Sequence, residues 1–253
     1  MSNIKVLFSG CSLTADCGFN DTNLDKHWVN IVSKELGFES INIAIGGMSN
    51  LEIFKRSIHK IIQIKPDLVV VMWSDLHRLW CYTNHLFGNI DNFTIIRPNL
   101  KGWQSNLKEI ANFRDIYSKI FTNNYVAFRD WLLYIYGLQN LLKQYDIPFI
   151  FLRGFSNNLQ DWITIDKNNL YKSSNFIKET LDFENNPDDY MIEKIDSLNN
   201  IINVIDKPNW VNLYTPSFVE IAIDRADDNA HPGKLSNKKM ANEFIDFYKE
   251  FTF

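Results

Sequence analysis

Asp67 to Trp73 reads Asp-Leu-Val-Val-Val-Met-Trp, an unbroken apolar run directly behind Pro66. A short run with no polar alternation is the pattern of a strand covered on both faces, and such strands belong to parallel sheets with helices on either side. Two shorter runs precede it, Ile4 to Phe8 and Ile41 to Ile45, and glycine follows each (Gly10, then Gly46-Gly47). Between the runs the period changes to that of helices. Trp28, Ile31, Val32 and Leu36 share one face, with Asp25 as the expected cap and Gly37 as the stop; Leu51, Phe54, Ile58, Ile61 and Ile62 share another, ended before Pro66. Strand, helix, strand, helix, strand predicts an α/β domain with a mostly parallel, doubly covered sheet.

Further elements continue the pattern. Tyr125 to Tyr145 is helical and strongly aromatic, Phe149 opens a fourth strand, and Met191 to Val204 is a helix. Trp210 to Leu213 is a candidate fifth strand, and Asn237 to Phe251 an amphipathic C-terminal helix. Two stretches interrupt the alternation. Residues 80–122 are rich in Asn and aromatics without a period, and residues 156–190 are polar. Both read as insertions in one domain spanning 1–253, the first being helical and aromatic-rich. The aromatic belt (Trp80, Tyr82, Phe87, Trp103, Trp131, Tyr134, Tyr136) reads chiefly as core of that insertion, with a remainder available for sugar stacking or self-association into a homo-oligomer.

The chain has 253 residues, 45% of them hydrophobic, which suffices for one sizeable core. Its net charge of −4 and lack of a basic block argue against nucleic acid as a partner. No apolar run approaches the roughly 20 residues of a membrane span, and the N-terminus carries no leader pattern. The 3 cysteines, Cys11, Cys17 and Cys81, have no metal-ligand spacing and read as free thiols. His27, His59, His77 and His85 do not pair with them at ligand distances, so neither a metal nor a cofactor is expected. A cytoplasmic protein is the expectation.

Three loops concentrate reactive chemistry. Gly10-Cys11-Ser12-Leu13-Thr14 follows the first strand, Gly46-Gly47-Met48-Ser49-Asn50 the second, and Asp228-Asn229-Ala230-His231-Pro232 precedes the last helix. A serine needs a base to take its proton, usually a histidine, and that histidine needs a carboxylate to fix its tautomer. In an α/β sheet these loops can all open on the carboxyl edge, so Ser12 and His231 can meet. Asp228 lies three residues before His231, within one turn of it, and Asp227 is the rival partner. Glycines after the second strand let a backbone N–H approach an oxyanion. Taken singly, Ser12 reads as a turn residue, His231 as a loop residue and Asn50 as the cap of the helix at Leu51. Cys11 is a rival nucleophile, but no neighbouring cation in the sequence would activate its thiol.

Gly10-Cys11-Ser12-Leu13 resembles the first block of the SGNH/GDSL serine hydrolases, and Gly46-Gly47 their second. Asp228-x-x-His231-Pro232 resembles their last. His27-Trp28 and the Gly-Gly-x-Ser-Asn form are similar to members encoded by bacteriophages. The resemblance implies a flavodoxin-like three-layer α/β/α sandwich. It also implies hydrolysis of small acyl esters, acetyl foremost and carbohydrate-borne among them. Ser12 would be the nucleophile, His231 the base and then acid, and Asp228 its orienting partner; the N–H groups of Ser12 and Gly47 would line the oxyanion hole. Cys11 stands where the family has Asp. After the third strand the family's Gly-x-Asn-Asp is replaced by Ser74-Asp75-Leu76-His77-Arg78, so Asn50, with Ser74 behind it, is the candidate for the absent donor. Ser74, Asp75 and Arg78 are the candidate substrate-binding residues. Two alternatives accompany the hydrolase: an SGNH-like binding or structural protein of a phage with little or no activity, and an acyltransferase using the same triad.

Overall fold

In a computed structural model the described residues are 4–19, 21–82, 93–96, 112, 116–117, 124–155, 189–212 and 216–251. Four strands form one parallel sheet: β1 (Lys5–Ser9), β2 (Glu39–Asn42), β3 (Leu68–Trp73) and, after two intervening strands of a separate pair, β6 (Phe149–Arg153), in the order β2-β1-β3-β6. The register aligns Val6 with Leu68 and Ser40, and Val69 with Phe149. Every residue of β3 is buried, as its continuous apolar pattern requires, whereas β2 at the edge is largely exposed. A parallel bridge from Phe151 to Trp210 continues the order beyond β6, and among the described residues it is the pairing that represents the expected fifth strand, whose last residue, Leu213, lies outside them.

Neighbouring residues of β1 assign the layers, since successive side chains in a strand face opposite ways. Phe8 meets the Trp28 ring of α1 (Trp28–Leu36) at 5.8 Å between centroids, and Trp28 meets Phe244 of the C-terminal helix at 5.9 Å. Ser9, one position on, accepts a 2.8 Å hydrogen bond from Ser57 of α2 (Asn50–Ile64). On that second face α2 packs on α3 (Asn124–Gln144), with Phe54 stacked on Tyr134, and α3 packs on α4 (Asp189–Asn203). The C-terminal helix, α5 (Lys234–Glu250), lies beside α1. The result is the three-layer α/β/α sandwich expected from the sequence.

Several boundaries differ from expectation for local reasons. Asp25 does not cap α1: Asp21–Lys26 forms a 3₁₀ turn, Asp25 pairs with Lys26, and His27 occupies the cap position without a side-chain bond. Gly37 does end α1, at φ 68°. Ser49, not Asn50, caps α2, accepting from the Glu52 N–H. β2 stops at Asn42 rather than Ile45, and the exposed Asn42 side chain donates to the Thr14 carbonyl at 2.7 Å. α5 begins at Lys234 rather than Asn237 because Asp224 caps it from ten residues upstream in the chain, accepting from Leu235 N–H at 2.9 Å and Ser236 N–H at 2.8 Å.

The stretch at 80–122 contains an antiparallel pair that the sequence reading missed, β4 (Leu79–Tyr82) with β5 (Phe93–Ile96). Most of that stretch, including Phe87 and Trp103, lies outside the described residues, as does 156–188. Trp131, assigned to the aromatic belt, belongs instead to the main core, its ring 6.1 Å from that of Trp210. Tyr136 is exposed.

Candidate active site

The chain leaves β1 at Ser9 and turns at once. Thr14 and Ala15 both donate backbone N–H to the Cys11 carbonyl, at 3.0 and 2.8 Å, which coils Cys11 to Ala15 into one tight turn beginning beside Ser12. Gly10 makes the turn possible: a Cβ there would lie 2.3 Å from Thr14 Oγ1 and 3.0 Å from the Met72 carbonyl oxygen. Neighbours on several elements then hold the turn. Trp28 Nε1 donates to the Leu13 carbonyl at 2.8 Å, and Asn42 to that of Thr14. His27 is almost fully buried, and burial pushes its imidazole down to about 4, against a smaller opposing effect of the Leu13 carbonyl. The Asp16 carboxylate lies 3.2 Å from His27 Nδ1 but off the hydrogen-bond direction, so that nitrogen has no hydrogen-bond partner. Ser12 is 5% exposed; Cys11 is fully buried in the core, which removes it as a rival nucleophile.

His231 sits on a loop built by short-range contacts. Asp228 Oδ1 accepts the backbone N–H groups of Ala230 and His231, each at 3.0 Å, while Oδ2 lies 2.5 Å from His231 Nδ1. Burial alone would raise the Asp228 carboxyl, but these bonds from His231 and Ala230, with the imidazole's charge, outweigh it and hold it down at about 2. The geometry favours Asp228 over Asp227 as the partner. The cap of the helix that follows is Asp224, which leaves the Asp228 carboxylate to His231. An antiparallel bridge from Arg225 to Pro232, and the Ala226 N–H on the His231 carbonyl at 2.9 Å, close the loop. Asn237 on α5 donates to the Pro232 carbonyl and accepts from the Trp28 N–H, tying this loop to α1.

The two loops touch. The Asp227 N–H donates to the Gly18 carbonyl at 3.2 Å. Gly18 has φ +85°, and a Cβ there would meet Asp228 Oδ1 and His231 Cβ, both at 3.1 Å. Beside it, burial pushes the Cys17 thiol up, helped by the carboxylates of Asp16 and Asp228. The third loop joins the same edge: a Cβ at Gly46 would lie 3.0 Å from Cys17 Sγ and 4.0 Å from Ser12 Cβ. Gly47 follows at φ +84°, in the left-handed region that glycine adopts without strain.

No family model matches the chain, and no curated protein matches it in sequence. Solved structures do match over nearly the whole length. TesA superimposes with a TM-score of 0.50 at 13% identity, covering 97% of this chain and 98% of TesA. The chain has the SGNH-hydrolase fold. Esterase EstA from Pseudoalteromonas sp. aligns over 98% of both chains at 12% identity with a TM-score of 0.48. The acetyl xylan esterase AlAXEase aligns over 96% of this chain and 98% of its own, at 12% identity and 0.46.

Within this SGNH fold the loop after β3 carries the remaining candidates. Asn50 does not have a free amide to offer an oxyanion: Nδ2 donates to the Ser74 and Asp75 carbonyls, each at 3.2 Å, and Oδ1 accepts from the Ser74 N–H at 2.7 Å. Its role is to pin the β3 exit to the start of α2. Asp75 Oδ1 accepts from the His77 N–H at 2.9 Å, closing the turn. Ser74 Oγ is buried without a partner, and Arg78 is 5% exposed. Among the described residues no cluster of three or more His, Cys, Asp or Glu side chains suits a metal ion, and no helix is long and apolar enough to cross a membrane. The sequence reading overlooked Gly18, Trp28 and Asn237 as organisers of the site. A glycine nine residues past the end of β1 carries no signal by itself; only the contact across 209 positions between Trp28 and Asn237 reveals that pairing.

Proposed function

We propose that this chain is an SGNH/GDSL-type ester hydrolase in which Ser12, His231 and Asp228 act as a triad. Ser12 Oγ attacks the ester carbonyl while His231 takes its proton. The imidazolium then returns that proton to the leaving alcohol, and water repeats the sequence on the acyl-enzyme. Asp228 fixes the Nδ1–H tautomer, so that Nε2 is the basic nitrogen. The N–H groups of Ser12 and Gly47 receive the charge that develops on the carbonyl oxygen. The observation carrying the reading is the 2.5 Å pair of His231 and Asp228, on a loop packed against the one that bears Ser12. The small acyl ester, with carbohydrate as a candidate alcohol, is the substrate class that the sequence motifs imply. The described thiols Cys11 and Cys17 are unpaired, which suits a reducing compartment such as the cytoplasm.

An active-site-directed fluorophosphonate should label the wild-type protein and spare Ser12→Ala, and short-chain aryl acetates should be cleaved only by the wild type, with a loss of about 10³-fold or more in the variant. Equal labelling of both proteins would remove Ser12 from the mechanism. One observation favours the second reading, a weakly active or inactive SGNH-like binding protein: with the Asn50 amide committed to Ser74 and Asp75, the hole has two backbone donors and no third from this residue. Removing one such donor costs about 10²–10³ in rate. Labelling without measurable turnover would support that reading.

A further inference from the structure

Among the described residues Arg78 is a buried cation without a counter-charge. Among the described residues its guanidinium makes one hydrogen bond, from Nη1 to the Met48 carbonyl at 3.3 Å, and Nε has no acceptor. Its Cζ lies 5.1 Å from the centroid of the Phe155 ring. No described carboxylate pairs with it; Asp75 closes its own turn and Glu52 pairs with Lys55. A guanidinium has five donors and cannot shed its proton, so burying one with a single weak bond is costly unless something else completes its shell. Arg153 shows the structural alternative in the same fold. It too is fully buried, but its Nε donates to the Asn212 carbonyl at 2.9 Å, and Asn212 returns a bond to the Arg153 carbonyl.

The position of Arg78 says what would complete it. It joins three strand exits: its own segment follows β3, Met48 belongs to the loop after β2, and Phe155 follows β6. The Met48 loop is the one whose Gly46 abuts Ser12 and Cys17. Ser74, in the same segment as Arg78, contributes a second buried donor with no partner. A neutral hydroxyl would leave the charge unbalanced, whereas a carboxylate accepts two N–H bonds from a guanidinium and neutralises it.

We propose that Arg78, assisted by Ser74, binds a carboxylate carried by the substrate. This rests on the ester-hydrolase reading and narrows its substrate class to acidic esters, the carboxylate lying on either the acyl or the alcohol side. Two substrate pairs separate the sides: para-acetoxybenzoate against phenyl acetate, and mono-p-nitrophenyl succinate against p-nitrophenyl butyrate. In one pair kcat/KM should favour the acidic member by about tenfold or more, and Arg78→Gln should bring that ratio to about one, with Arg78→Lys between. A ratio near one in both pairs, or a preference that persists in Arg78→Gln, overturns the proposal. Should that variant not fold, or should no ester be turned over, the wild-type protein decides by binding alone. Benzoate should then raise its thermal midpoint and isosteric benzamide should not; equal effects overturn the proposal. Absence of turnover by itself counts against the hydrolase reading only.

Discussion

The loop that carries Ser12 and the loop that carries His231 are held by opposite means. The first is buried, and its long-range bonds come from Trp28 on α1, to the Leu13 carbonyl, and from Asn42 at the end of β2, to the Thr14 carbonyl. The second is partly exposed, with His231 and Asp228 side chains 19% and 36% accessible, and it is closed almost wholly by residues 224–233 bonding to one another. A nucleophile fixed by tertiary packing is only as well placed as the whole sandwich is folded. A base fixed by an aspartate three residues away keeps its tautomer as long as that one turn persists. The difference predicts that damage to the first loop registers as lost stability, and damage to the second as lost chemistry in a protein that melts normally.

The largest effect expected from breaking this contrast is on the second loop. Asp228→Asn keeps the size of the side chain and an oxygen for the Ala230 and His231 N–H groups, but it removes the charge that orients and stabilises the imidazolium. Turnover should fall by about 10³–10⁴-fold, while the thermal midpoint moves little, since the carboxyl is over a third exposed and the backbone bonds survive. Activity and melting measured on the same preparation check both halves. A variant that unfolds instead would mean that this loop, too, is a structural keystone.

The next effect belongs to the first loop and is read by pH. His27 titrates at about 4 in the folded protein against an ordinary 6.5. Because the folded value is depressed, the unfolded chain binds the extra proton between those values, so stability rises with pH across that window. The contribution is complete above pH 6.5 and fades as the pH falls toward 4, a loss of about 3 kcal/mol from this one buried ring. Asp228 works in the same direction but lower, its contribution being lost only as the pH drops from about 4 through 2. Denaturant midpoints from pH 7 to pH 4, compared with His27→Gln, test the assignment: the variant should lose most of the slope. An unchanged slope would place the acid sensitivity elsewhere.

How much of this could be read from the sequence follows the same division. The parallel sheet was legible because β1, β3 and β6 are buried on both faces, so their apolar runs have no polar interruption. The pair of Asp228 and His231 was legible because it is local, and spacing alone brings the two side chains together. What tertiary contacts decide was not. Asn50 looks like a cap at the head of α2, but Ser49 takes that place and leaves the Asn50 amide to bridge to Ser74 and Asp75, a contact across 24 positions. Asp224 caps α5 from a place where no capping pattern points to it, and β4 with β5 was hidden because their residues show no two-residue alternation. Arg78 was legible as a candidate substrate-binding residue; that no described carboxylate balances it is visible only once its surroundings are known.

The smallest expected effect isolates a single bond in the first loop. Trp28→Phe keeps an aromatic ring between Phe8 and Phe244 and removes the indole N–H that reaches the Leu13 carbonyl. The variant loses one net hydrogen bond, and leaves a buried carbonyl less well satisfied, for about 1–2 kcal/mol. Some further loss comes from the smaller ring. Because Leu13 directly follows Ser12, the same change should loosen the nucleophile, lowering turnover by about tenfold at constant protein fold. If stability falls while turnover per folded molecule does not, Trp28 supports the sandwich without positioning Ser12, and the remaining tether at Asn42 suffices to hold the turn. If turnover falls by as much as in Asp228→Asn while the melting curve is unmoved, the two loops are not held by different means after all, and the contrast drawn between them fails at its most sensitive point.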